Sequence, residues 1–306
     1  GGLGVESGEE VQPSRDVMSG GKDVTLEQAQ AMIDLSESGM FDEPTDNMKK
    51  YQARYDQVNE ERGGVMAFMV GVAENPMYIR DVGVQSMAMM GSALWNSEDV
   101  QKTAAIAAPA VGVATLANKK FGTKHPIGFG VGFMSGLFGA VSGTMDAGLS
   151  YQEFLQEGME KDELDFTPEN VVKYLQDDEV VTHKDPNGLP YMDITGTRAE
   201  IQKARATRRG WAIGVTDTFT GILSGGVASG AFQKTKLATK RQKFLRGTAT
   251  AVSGGLVSEV AGQTAGRQEY HAGEILTEGF AEKGIAMTGI TVVPQLLKKK
   301  GKYSIK

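Results

Sequence analysis

Two acids stand where a charge is least expected. Asp217 is the only charged residue in the apolar stretch Gly210–Phe232, and Glu259 interrupts the apolar stretch Gly247–Tyr270. A carboxylate taken out of water needs a cationic partner, and Arg208, Arg246 or Arg267 from a neighbouring helix are the expected ones. Within a membrane, such acids would instead mark a functional position. The other carboxylate pairs, Glu9-Glu10, Glu60-Glu61 and Asp177-Asp178-Glu179, fall in polar runs and read as solvated helix faces. The chain has no cysteine, which excludes disulfides, thiolate metal sites and thiol catalysis. His125, His183 and His271 are scattered, with no HExxH pair for a metal. Gly128-Phe-Gly-Val-Gly and Gly225-Gly226 lack the GKS or GKT ending and the preceding strand of a phosphate loop. No catalytic, metal or cofactor constellation emerges, and no cofactor is expected.

The glycines are a stronger signal than the acids. There are 40 of them, roughly twice ordinary usage. Pro126–Met145 carries no charge, and Gly128, Gly132 and Gly136 recur every fourth residue, continued by Gly139 and Gly143. Gly210 with Gly214, Gly221 with Gly225, and the run Gly254, Ser258, Gly262, Gly266 repeat the spacing. Residues four apart share a helix face. A face without side chains lets another helix approach backbone to backbone, as in lipid-embedded helix pairs. Each interior glycine costs a helix about 1 kcal/mol against alanine, so the pattern predicts close helix packing and a homo-oligomer built on these faces.

These residues must be positioned by helices. Clean apolar/polar alternation is short everywhere, and only Val180–Thr182 and Ile290–Val293 read as strands. The expected fold class is all-α, an elongated multi-helix assembly with little or no β. The chain divides into a flexible lead-in (1–24), a polar helical segment (25–62), a first apolar glycine-rich region (63–152), an acidic linker region (153–199) and a second apolar glycine-rich region with a basic end (200–306). Thr25 with Gln28 forms a capping box ahead of a helix at Leu26–Ser38. Thr167-Pro168-Glu169 is a second strong helix start, and Thr195 or Thr197 caps the next helix. Asp185-Pro186-Asn187-Gly188 is a turn.

Charge is unevenly spread. Residues 1–62 carry a net −8, residues 151–197 a net −9 and residues 198–306 a net +11. The basic contact candidates are Arg205, Arg208, Arg209, Lys240, Arg241, Lys298, Lys299 and Lys300. Such residues suit phosphate of DNA or lipid, or an acidic neighbour. The apolar stretches are marginal as membrane spans. One needs about 20 apolar residues, and a central charge costs roughly 2.5–3.5 kcal/mol on insertion scales. The mean hydropathy is −0.25. The sequence is therefore compatible with close-packed soluble helices or with conditional insertion.

The run Gly210-Trp-Ala-Ile-Gly-Val-Thr-Asp217, the segment Gly221-Ile-Leu-Ser-Gly-Gly226, and Gly254-Gly-Leu-Val-Ser-Glu259 with Thr264-Ala-Gly-Arg-Gln-Glu269 follow Ala73-Glu-Asn-Pro-Met77 and Thr167-Pro-Glu-Asn-Val171. Together, over roughly residues 74–300, they resemble the helical regions of tailed-bacteriophage internal virion proteins, also called ejection or pilot proteins. The resemblance implies a structural, non-enzymatic protein of the virion interior that moves to the host cell envelope during DNA ejection. Its implied partners are copies of itself, other virion core or portal proteins, genomic DNA and the host membrane, where a conduit would form. A non-inserting capsid or portal-associated architectural protein is one alternative. The non-catalytic part of a giant virion enzyme is another. Glu6-Ser7 is similar to the Glu-Ser of lytic transglycosylases but has no companion motif nearby. The first residue is glycine, as expected of a processed product or a piece of a longer polypeptide. No charged and apolar leader pattern opens the sequence.

Overall fold

The structure, a computed structural model, describes residues 24–38, 44–78, 81–82, 85, 97–117, 129–229, 239–270 and 272–292. The described residues are 83% helical, with one two-stranded sheet among them, so the all-α expectation holds. Three short helices come first: α1 (Leu26–Ser38), α2 (Asp46–Arg62) and α3 (Gly64–Glu74). The capping box ahead of α1 forms as the sequence predicts: Thr25 Oγ1 accepts from Gln28 N, and Thr25 N donates to Gln28 Oε1. Then come α4 (Glu98–Ala117), α5 (Phe129–Lys161), α6 (Pro168–Gln176), β1 (Val180–His183) and β2 (Ile194–Thr197). Two long helices follow, α7 (Arg198–Ser229) and α8 (Lys240–Gly266). The last element, α9, spans 272–292. It alternates α turns (Ala272–Glu274, Ile285–Met287) with wider π turns (Ile275–Gly284, Thr288–Val292).

The long helices form a glycine-packed bundle. At the crossing of α5 and α7, a methyl on Gly143 would sit 2.6 Å from Gly210 O and 2.9 Å from Gly214 Cα. One on Gly214 would sit 2.7 Å from Gly139 O. Further along α5, one on Gly136 would meet Ala107 O of α4 at 2.9 Å, and Gly132 is covered by Thr115 and Val111 of the same helix. On the other side, Gly254 and Gly262 of α8 receive Thr220 and Ile213 of α7, and Ser258 donates to Ile213 O at 3.4 Å. Gly221 meets Ser135, Gly266 meets Phe154, and Gly225 is buried. The side-chain-free faces are therefore filled by helices of the same chain. Gly128 lies outside the described residues.

A second core lies at the other end of α5. There the helix turns amphipathic, and Tyr151, Phe154, Leu155 and Met159 pack against Val171, Tyr174 and Leu175 of α6 and Met32 and Ile33 of α1. Because α5 runs unbroken through residue 152, the composition change expected there falls inside a helix. The change is one of helix partner: glycine against α4 and α7, then large apolar side chains against α1 and α6. The α6 cap is as the sequence predicts, with Thr167 accepting from Asn170 N. Thr197 and Glu200 form a reciprocal box opening α7. A third cluster joins Tyr51, Phe68 and Tyr78 to Leu276 and Phe280 of α9.

The two strand expectations divide. Val180–Thr182 is a strand, paired antiparallel from Val180↔Thr197 to His183↔Ile194. Ile290–Val293 is not: its described part, to Val292, is π-helical, because Val292 is drawn into the bundle against Gly247. Lys240 to Arg246 forms the first two turns of α8, and Thr239 and Gln242 cap it with a full capping box.

Candidate functional site

The two lone acids lie together at the centre of the bundle, both with 0% exposure. Glu259, on α8, has two cationic partners. Arg209 Nη2 of α7 donates to its Oε1 at 2.8 Å, and Lys283 Nζ of α9 donates to its Oε2. Arg209 also reaches Glu278 at 3.2 Å and Gln268. Lys283 lies 3.5 Å from Asp146 of α5. One cluster thus ties together all three long helices and α9. Burial pushes Glu259 up, but Lys283 and Arg209 outweigh it and hold the carboxyl below its usual range. For Asp146 burial wins over the pull of the same two cations, and its pKa is raised. Burial works against the charge of Lys283, yet Asp146 and Glu259 overcome it and strengthen its hold on the proton.

None of the arginines expected as partners takes that role. Arg208 and Arg246 are exposed. Arg267 is the left-handed cap of α8 at φ 58, and its guanidinium donates to Met192 O at 2.6 Å and Thr264 O at 2.8 Å. Arg209 turns inward instead, one residue on from Arg208 and about 100° round the helix.

Asp217 is held differently. Its Oδ2 accepts from Ser142 Oγ of α5 at 2.6 Å, while its Oδ1 has no partner among the described residues. It makes no ion pair there. Burial is the main influence on it, partly offset by Lys283 at a distance and by the Ser142 hydroxyl, and its pKa is pushed up to about 6.

The expected basic contact set divides. Arg205 and Arg209 are withdrawn from any outside partner, at 1% and 3% exposure. Arg205 donates to Gly266 O at 2.9 Å and Glu157 at 2.8 Å, with its guanidinium 4.0 Å from the centre of the Phe154 ring. Arg208, Lys240 and Arg241 are exposed and keep the contact role open to them. Lys298, Lys299 and Lys300 lie outside the described residues, as does Glu6-Ser7.

One surface feature went unforeseen. Helices α4, α5 and α7 enclose an apolar groove of about 720 Å³, and none of the described residues lining it is charged. On its α7 rim, Trp211, Val215 and Phe219 are four residues apart and 72%, 51% and 51% exposed. That spacing is visible in the sequence, although it reads there as part of a buried apolar run. Of the five lining threonines, Thr115, Thr144 and Thr218 donate to their own helix, at Gly112 O, Ala140 O and Gly214 O, while Thr103 and Thr207 sit at the exposed rim.

Among the described residues, no helix is long and apolar enough to cross a membrane and no group of acids and histidines could hold a metal ion. No family model, curated protein or solved structure matches the chain.

Proposed function

We propose that this chain is a non-enzymatic helical packing protein that self-associates through the α4–α5–α7 groove, acting as an internal architectural component of a virion. The observation that carries self-association is the groove with its exposed Trp211–Val215–Phe219 ridge. Contiguous exposed apolar surface marks an interaction site. The same face offers both a ridge and a hollow, which is what a two-fold contact between identical copies needs. The glycine faces are occupied within the chain, so the oligomer uses this rim instead. The virion setting rests on the resemblance of residues 74–300 to internal virion proteins.

A conduit across the host envelope would need the bundle to open. Closed, it offers among the described residues no helix long and apolar enough to cross a membrane. The closed bundle is therefore the non-inserting form, and insertion belongs to a rearranged one. DNA contact would fall to Arg208, Lys240 and Arg241 and would weaken steeply with salt.

Light scattering across a concentration series tests self-association. The wild type is expected to form a dimer or larger species, and Trp211→Glu with Val215→Glu to give a monomer of unchanged helicity. A wild type that stays monomeric throughout overturns the proposal. Liposome flotation and leakage at low and high salt test the envelope role, and absence of lipid association in all conditions removes it.

A further inference from the structure

We propose that Asp217 is the proton-binding group of the bundle core, and that losing its proton loosens the packing of α5 and α8 on α7. This stands independently of self-association.

The geometry isolates Asp217 from the neighbouring cations. From α5 it faces Ser142 and, one turn on, Asp146. From α8 it faces Ser258 and, beside it, Glu259. From α9 comes Lys283, with Glu278 further along, and from α7 itself Arg209 lies two turns back. Among the described residues four carboxyls thus share two cations, and both cations are engaged: Arg209 with Glu259 and Glu278, Lys283 with Glu259 and Asp146. Asp217 has the Ser142 hydroxyl at 2.6 Å, the Ser258 hydroxyl nearby and, among the described residues, one oxygen without a hydrogen-bond partner, at 0% exposure. A core with more carboxylates than cations lowers its charge most cheaply by keeping a proton where no cation sits, and that place is Asp217. Residues Gly214 and Thr218, on either side of it in sequence, belong to the close crossing with Gly139 of α5. A charge appearing there falls beside a backbone-to-backbone contact of the bundle.

The sign follows from the raised pKa of about 6 against an ordinary 3.8. The stabilising contribution is complete below about pH 4 and lost as pH rises through about 6. Over that range the folding equilibrium constant should fall about a hundredfold on this group's account. Two other groups shift on folding: Asp146 is also raised, while His183 of β1 is lowered by burial and by Arg205. His183 cancels in the comparison with an Asp217 variant, and because Asp146 raises the Asp217 pKa through its charge, the difference between the proteins reports Asp217 together with that coupling.

The test is denaturant unfolding of the full chain between about pH 4 and about pH 8 for the wild type and Asp217→Asn, which keeps the shape and an acceptor for Ser142. The wild type should lose about a hundredfold more folding constant than the variant across the range. In the wild type, infrared spectroscopy should show a buried protonated carboxyl band that disappears with a midpoint near pH 6. Ser142→Ala should move that midpoint upward, because the hydroxyl favours the ionised form. Equal pH slopes in wild type and Asp217→Asn overturn the proposal. So does a wild type without a carboxyl band above the ordinary carboxylate range, which decides the matter even if the variant fails to fold.

Discussion

Arg209 Nη2 lies 2.8 Å from Glu259 Oε1, fifty residues away, and neither side chain reaches solvent. Lys283 closes on the other oxygen of the same carboxylate. Removing one member of such a set leaves a buried charge without its partner, at about 3–5 kcal/mol. Arg209→Met and Glu259→Gln are each expected to destabilise on that scale in denaturant unfolding. Exchanging the set for apolar residues, as in Arg209→Met with Glu259→Leu and Lys283→Met, should recover much of the loss. The carboxyl of Glu259 is held below its usual range, so its contribution is present above the unfolded pKa of 4.5 and lost as pH falls through the folded value. The wild type should therefore lose stability in acid relative to Glu259→Gln, opposite in sign to Asp217.

Arg205 and Arg208 look alike in sequence and should behave oppositely. Arg205 is buried, with its guanidinium over Phe154 and bonded to Gly266 O, Gln202 and Glu157. A lysine cannot reproduce that planar fork. Arg205→Lys is expected to cost about 2–4 kcal/mol in denaturant unfolding, within the range for breaking a buried charged network. Arg208→Ala, on the exposed face, should change stability by no more than about 0.5 kcal/mol. If the chain binds DNA or anionic lipid, Arg208→Ala weakens it in a salt titration and Arg205→Lys, where folded, does not.

Asp217 and Glu259 were legible as lone charges because no other charge lies near either in sequence. Their partners were not. The choice between Arg208 and Arg209 depends on the rotational phase of α7, and a helix built largely of Gly, Ala, Thr and Ser shows no strong apolar stripe to fix it. Lys283 was hidden in a segment that reads as an ordinary helix, where the π turns alter the side-chain period. The β-branched run Ile290-Thr-Val-Val293 favours a strand, but packing of Val292 on Gly247 overrides it. The helix starts at Thr25, Thr167 and Thr197 were readable because a cap is decided by its own few residues. The glycine spacing correctly announced close approach. It could not say whether the approaching helix belongs to the same chain.

Glycines of α5 should divide by what lies opposite them. A methyl on Gly143 would come 2.6 Å from Gly210 O and 2.9 Å from Gly214 Cα, both backbone atoms that cannot move without shifting α7. Gly143→Ala is expected to destabilise by about 1–3 kcal/mol, the ordinary cost of overpacking. Five residues on, Gly148 has nothing within 4 Å of the added carbon. Gly148→Ala should stabilise by about 1 kcal/mol through helix propensity alone. Thermal unfolding of the two variants separates contact from propensity, and equal shifts of the same sign would contradict the close crossing.

Tyr151 offers a test at the other end of α5. Its ring is buried in the core with Phe154 and Met159, and its hydroxyl has no hydrogen-bond partner among the described residues. Burial, with Tyr174 nearby, pushes its pKa up to about 12. A group raised in the folded state stabilises below its unfolded pKa and loses that contribution as pH rises through the folded value. Ionisation of Tyr151 should therefore accompany alkaline unfolding, not precede it. Tyr151→Phe removes a buried oxygen without a partner and keeps the packing, so it should be neutral or stabilising by up to about 1 kcal/mol. It should also extend the folded range to higher pH, read by circular dichroism alongside tyrosinate absorbance. A loss of more than about 2 kcal/mol in Tyr151→Phe would mean that the hydroxyl does have a partner in solution, with the cost of breaking that bond.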